Sequence, residues 1–343
     1  MTRPRTVSGQ GDGDAGRVRG ILRASVDHQL AGDLDEAIIG YERVLAAAPD
    51  DVAAANNLAF ALAQKGRYEE AVGYFKRVLD KEPGHAAART NLALTRAAQG
   101  DLDGALADLR NIAEHTPGNP GAWDNLAKLL LVRGDAVGAE DAWHQALNLA
   151  PREAGLWEAI GVAIGQQRRF PEAIAATQTA LTLDATRASA WLRLGVLRFL
   201  SHDLGFATDA LRRALALEPE NVTARHQLAV VLMARNDPRA RTELERILVI
   251  NPENFAAHCD LGVLALAAGN LQDATGHLDV ALAADPTSGR AGYYRGLAAA
   301  QVGDRKESLA RMKSVAEGDD VRYAALARAW LDEAAAPRRR KSS

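Results

Sequence analysis

The chain of 343 residues contains one cysteine, Cys259, so it forms no disulfide within itself. That fits a reducing compartment without requiring one. Aromatic residues are only 5% of the total. Any core is therefore built mainly from Leu, Ala, Val and Ile. No apolar run approaches the roughly 18 residues that read as a membrane span. The first residues, up to Gly16, are polar and rich in Gly and Asp, which argues against a secretory signal peptide. No phosphate loop, dinucleotide fingerprint, HExxH helix or GxSxG elbow occurs. No catalytic residue, metal or cofactor is expected, and an enzyme is the least favoured class. The formal net charge is −3. Arg338, Arg339, Arg340 and Lys341 gather positive charge at the end of the chain, so the body is more acidic than the total. Such a body lacks the clustered Lys and Arg of a nucleic-acid face, and no nucleic-acid partner is expected. The basic end is read as a disordered tail that touches an anionic membrane only weakly.

What the chain does contain is a period. Pro49, Pro83, Pro117 and Pro151 stand 34 residues apart. Ala185 takes the next place, and Pro219, Pro252 and Pro286 follow at intervals of 34, 33 and 34. Each unit is numbered 1 to 34 here, with the proline at 32 and the first unit starting at Val18. Position 8 is then small throughout: Ser25, Ala59, Ala93, Ala127, Gly161, Gly195, Ala229, Gly262 and Gly296. Position 20 is small as well: Ala37, Ala71, Ala105, Ala139, Ala173, Ala207, Ala240, Ala274 and Ser308. Position 7 is mostly a large aliphatic residue, from Leu58 to Leu261, with Ala24 and Arg295 as exceptions at the ends. Position 24 is bulky (Tyr41, Phe75, Leu109, Trp143, Leu211, Leu244, Leu278 and Met312), with Thr177 the exception.

Local signals agree. Leu126, Leu129 and Leu130 show helical spacing. Gly32, Gly66, Gly100, Gly134, Gly269 and Gly303 mark a helix end. Asp33, Asp101, Asp135, Asp203, Asn270 and Asp304 follow as N-caps of a second helix. In the short seventh unit, Asp237 and Pro238 read as an N-cap and a proline at the first helical position. One such helix pair cannot bury its apolar face alone, whereas stacked pairs can.

This pattern resembles the tetratricopeptide repeat (TPR). The resemblance implies an all-α, right-handed TPR α-solenoid of nine repeats over residues 17–320. A disordered tail over 1–16 precedes it. A C-terminal capping helix over 321–336 follows, with Tyr323, Leu326, Ala327, Trp330 and Leu331 on one face. The basic tail is 337–343. Solenoids need such a cap to cover the last apolar face.

The resemblance also implies that positions 2, 5, 6, 9, 12 and 13 face a concave groove. Position 6 holds Asn57, Asn91 and Asn125 in three consecutive repeats. A carboxamide both donates and accepts, so such a ladder can hold a peptide main chain without reading its side chains. It resembles the asparagine ladder in the repeat domain of O-linked N-acetylglucosamine transferases. The alternative is that these amides brace adjacent helices. The expected peptide-binding residues are Asn57, Asn91, Asn125, Lys128, Arg193, Gln227, Tyr293 and Tyr294. Later repeats carry Val196, Val230, Val263 and Leu297 at position 9, with Phe199, Met233 and Leu266 at position 12. That makes a more apolar groove, suited in part to a hydrophobic or amphipathic segment. The lysine and asparagine pattern of a chaperone-tail carboxylate clamp is absent. Trp123, Trp157 and Trp191 at position 4 read as packing between helices. His226 and Cys259 both fall at position 5, but two ligands fall short of a zinc site.

The leading expectation is a non-enzymatic scaffold that binds an extended or helical segment of a protein partner. The alternatives are a recruiting subunit for a separately encoded enzyme such as a glycosyltransferase, or a self-associating structural protein. The Ala, Arg and Gly usage suggests a bacterial source, and the cytoplasm is the expected compartment.

Overall fold

The structure, a computed structural model, describes residues 10–335. The expectations for residues 1–9 and for the basic tail lie outside the described residues. Among the described residues the chain is helical throughout, with no strand. It divides into two compact units, residues 1–169 and 170–343. The sequence pattern alone reads as one uninterrupted array over 17–320.

The first unit holds α1 (Gln10–Ala31), α2 (Leu34–Ala47), α3 (Val52–Gln64), α4 (Tyr68–Lys81), α5 (Ala86–Ala98), α6 (Leu102–His115), α7 (Pro120–Arg133), α8 (Ala136–Leu149) and α9 (Ala154–Gln166). Helix α1 begins inside the segment read from composition as a tail. The second unit holds α10 (Phe170–Leu183), α11 (Ala188–Leu200), α12 (Leu204–Leu217), α13 (Val222–Ala234), α14 (Arg239–Ile250), α15 (Phe255–Ala267), α16 (Leu271–Ala284), α17 (Gly289–Val302), α18 (Arg305–Glu317) and α19 (Val321–Ala335). Odd-numbered helices up to α17 are the first, or A, helices of the repeats. Even-numbered helices are the second, or B, helices.

Small residues set how closely the two helices of a repeat approach. Positions 8 and 20 are buried in all nine repeats. A Cβ placed on Gly195 would lie 2.5 Å from Leu211 Cγ, and one on Gly262 would lie 2.5 Å from Leu278 Cγ. Position 24 thus drives its side chain onto position 8 of its own A helix. Arg295, at position 7, keeps its stem in the packing and donates to Asp279 Oδ1 at 2.7 Å.

The turn between A and B helices uses one left-handed residue in every repeat. Six are the glycines named above, and Arg168, His202 and Asn236 serve in the other three, at φ of 62°, 62° and 53°. Five of the six expected B-helix caps accept a main-chain N–H; Asp33 occupies the cap position without doing so. In the short repeat, α14 starts at Arg239 with Pro238 flanking it. Asp237 still accepts from Arg239 N, at 3.0 Å. Pro238 already has helical dihedral angles, φ −62° and ψ −19°, so Asp237 caps the turn and the proline opens it, as expected.

The last helix seals the second unit. Tyr323, Ala324 and Ala327 are buried, and Trp330 and Leu331 pack beside them against Met312 and Val315. Leu326, expected on this face, is 41% exposed, because the contact stripe runs through 323, 324, 327 and 331. No described helix is long and apolar enough to cross a membrane.

Candidate peptide-binding surface

Burial along the A helices defines an open side. In α3, Ala54, Ala55, Leu58, Ala59, Ala61 and Leu62 are buried. Ala53, Asn57, Phe60 and Gln64 lie on the other side, at the 4-3-4 spacing of one helical stripe. The equivalent stripe of α5 carries Asn91, and that of α7 carries Asn125 and Lys128. All three asparagines are half-buried. Asn57 Oδ1 accepts from Asn56 Nδ2 of its own helix at 3.4 Å. No side-chain hydrogen bond ties Asn91 or Asn125 to a described residue. None of the three forms a hydrogen bond to a neighbouring helix. Lys128 is exposed but committed: its Nζ donates to Asp124 Oδ2 at 2.6 Å, while Asp124 Oδ1 accepts from Trp143 Nε1 at 2.8 Å.

The second unit places Arg193 and Gln227, both half-buried, on the same stripe of α11 and α13. Val196, Phe199, Val230 and Met233 are half-buried beside them, so an apolar strip does face outward in part. Leu266 does not join it; it is buried against Ala265 and Ala298. Tyr293 and Tyr294 are also largely engaged. They form a cluster with Tyr323 of α19, with ring centroids 5.8 and 6.1 Å from it. Their aromatic surface seals the capping helix, which leaves less of it open than a groove position implies.

A charged node lies among the positions read as lining the groove. Asp260 of α15 is 2% exposed. It accepts from His226 Nε2 of α13 at 2.8 Å and from Arg290 of α17. Burial pushes its carboxyl upward, but the His226 hydrogen bond and the Arg290 charge outweigh that and hold it below the usual carboxylate range. Three successive A helices are thus tied by one carboxylate. A signal was present: Asp260 is the one acid at position 6, with His226 34 residues earlier.

His226 and Cys259 have separate commitments: His226 is bonded to Asp260, and Cys259 lies in the core. Cys259 is fully buried, and burial pushes its thiol up to about 11, so it is unreactive. Among the described residues, no group of three or more His, Cys, Asp or Glu side chains is placed to hold a metal ion. The tryptophan stripe serves the turns. Trp123, Trp157 and Trp191 donate Nε1–H to the carbonyls of Pro117, Pro151 and Ala185 at 3.2, 3.0 and 2.9 Å. Arg225 and His258, at the same position in later repeats, do the same to Pro219 and Pro252.

Residues 24–86 and 61–120 match a tetratricopeptide-repeat family model, and residues 96–160 match a second one. Residues 172–291 match the model of the cytochrome c-type biogenesis protein H TPR domain. The chain belongs to the tetratricopeptide-repeat family. Solved TPR structures share its fold. A chain of the APC/C hetero-tetramer Cut9–Hcn1 is 16% identical over 77% of this chain and 52% of that one, with a TM-score of 0.57. This TPR chain thus spans about half the length of that relative. A TPR protein from Parabacteroides merdae is 14% identical over 68% of this chain and 93% of that one, with a TM-score of 0.55. The C-terminal part of a TPR protein from Cytophaga hutchinsonii is 17% identical over 68% and 96%, with a TM-score of 0.54. At these identities the likeness speaks for the fold alone. No curated protein sequence matches the chain.

Proposed function

We propose that this TPR protein is a non-catalytic scaffold that holds an extended segment of a protein partner along the open side of its A helices. The observation that carries this is the asparagine ladder of the first unit. Asn57, Asn91 and Asn125 recur one repeat apart on one stripe, half-exposed, with no bond to a neighbouring helix. A main-chain N–H and C=O together satisfy such an amide, and a partly desolvated site strengthens each bond. In the second unit, Val196, Val230 and Met233 offer apolar contact beside Arg193 and Gln227. That suits a segment with some hydrophobic side chains. Pull-down with the full chain, read by mass spectrometry, identifies the partner. Hydrogen exchange on the complex is then expected to protect the partner segment and the exposed stripes of α3, α5 and α7. Protection confined to B helices contradicts the reading.

The match of residues 172–291 to a cytochrome c-type biogenesis TPR domain favours a second reading for the second unit. In it, the segment held is an unfolded polypeptide bearing the Cys-x-x-Cys-His motif that attaches c-type haem. The two readings differ in compartment. The first is set in the cytoplasm, whereas the second fits the periplasm. Fractionation of cells, with a titration of Cys-x-x-Cys-His peptides against the full chain, separates them.

A further inference from the structure

We propose that the second unit carries a second docking site, on its B-helix side, for an aromatic side chain of a partner protein flanked by acidic residues. The starting point is a departure from the repeat itself. Position 19, in the first turn of each B helix, holds Glu36, Glu70, Gly104, Gly138, Glu172, Arg239, Asp273 and Glu307 in eight repeats, an acid in five of them. Acidic residues suit that turn, because a helix N-terminus favours negative charge. Repeat 6 has Phe206 there, and 65% of it is exposed. One exposed aromatic alone means little, but this one stands at a position otherwise polar or small and adjoins a cavity, and exposed apolar surface of that kind marks binding sites.

Beside Phe206 lies a cavity of about 400 Å³ between α10, α11 and α12. That is within the size range of small-ligand pockets. Leu181, Trp191 and Leu194 line it with Phe206, so its walls are largely apolar. The Trp191 indole is held in place by its hydrogen bond to Ala185 O. Arg198 stacks over the Phe206 ring, 5.1 Å from its centroid, and is anchored by Asp203 at 3.2 Å. The walls therefore present aromatic faces at fixed positions, which favours an aromatic ring over a flexible aliphatic chain.

Charge sets what flanks that ring. Arg213 lines the cavity with Arg198, and Arg212 adjoins it in sequence. Arg212 and Arg213 are exposed and have no ion-pair partner among the described residues. Asp209 is the one acid in the lining. The replacement of the usual acid by Phe206 has also removed a negative charge from this rim. Asp203 neutralises Arg198, so the exposed Arg212 and Arg213, set against Asp209, leave the rim positive and select carboxylates beside the inserted ring. This site is independent of the asparagine ladder.

The test uses the full chain with ¹⁵N-labelled indoles, assigned by single Trp→Phe variants. The probes are three pentapeptides: acetyl-Asp-Asp-Phe-Asp-Asp-amide, its Ala version and its Lys-Lys-Phe-Lys-Lys version. The acidic Phe peptide is expected to move the Trp191 indole signal saturably. The Ala and Lys versions are expected to bind at least tenfold more weakly. Phe206→Glu restores the residue type of other repeats, so it is expected to keep the melting temperature while weakening the acidic peptide tenfold or more. Arg213→Ala is expected to weaken it severalfold. A Trp191 signal that does not move, equal binding of the three peptides, or unchanged affinity in Phe206→Glu each overturns the proposal.

Discussion

Gly195 shows how single residues set the architecture. Its missing Cβ is what lets Leu211 reach the backbone of α11. Gly195→Ala is expected to cost about 1–3 kcal/mol in urea unfolding, because the added methyl meets a buried branched carbon, not the tip of a flexible chain. Asp209→Ala, on the exposed side of α12, is expected to be nearly neutral. Asp260 acts at the same scale. Asp260→Ala leaves His226 and Arg290 without their carboxylate; both are partly exposed, so the cost is expected to fall short of the roughly 3–5 kcal/mol of breaking a fully buried pair. Its carboxyl is held below the ordinary 3.8, so it contributes stability above that pH and loses it as the pH falls through the lowered folded-state value. The melting temperatures of parent and variant are therefore expected to converge below about pH 4. A second pH effect arises between α15 and α16. His258 donates Nε2–H to Pro252 O, so its Nδ1 accepts from His277 Nδ1–H at 2.9 Å. Burial lowers the His277 pKa from 6.5, against the opposing pull of Asp273. The unfolded chain takes that proton first as pH falls, so stability drops below about pH 6.5. His277→Gln is expected to flatten the melting curve between pH 7 and 5.5. The small residues were legible from their spacing. The Asp260 node left only a partial trace, an acid and a histidine 34 apart; that Arg290 of α17 completes it depends on side-chain reach, which spacing does not encode.

Among the elements, the A-to-B turn is the most instructive. Six glycines announced the left-handed residue, and Arg168, His202 and Asn236 concealed it. Tertiary packing imposes that conformation whether or not the residue favours it. Only asparagine of the three tolerates it readily. His202→Gly is expected to raise stability by up to about 1 kcal/mol, and Gly303→Ala to lower it by about the same, measured by thermal unfolding. A loss of stability in His202→Gly would mean that its side chain holds the turn in a way its exposure does not show. Leu326 makes the complementary point. Spacing of three from Tyr323 suggested burial. The cap contacts its neighbour along a narrower stripe, and one exposed leucine is no sign of a wrong helix.

At the scale of the molecule, the repeat number, helix order and capping helix were all legible, because nine copies of one pattern correct each other's exceptions. The division into two units was not, since the period runs through repeat 5 without a gap. Removing α19 is expected to expose Met312, Val315 and the tyrosine cluster and to cause concentration-dependent association in sedimentation. Binding along the open side of the A helices is decided by a single titration. The partner segment identified by pull-down is titrated by calorimetry against the parent and the Asn57→Ala, Asn91→Ala, Asn125→Ala triple variant. Each lost hydrogen bond is worth about 0.5–1.5 kcal/mol, so the affinity is expected to fall by about one to three decades, with an unchanged melting temperature. A triple variant that binds as tightly as the parent, or one that unfolds, would contradict the account and make the asparagines struts of the solenoid.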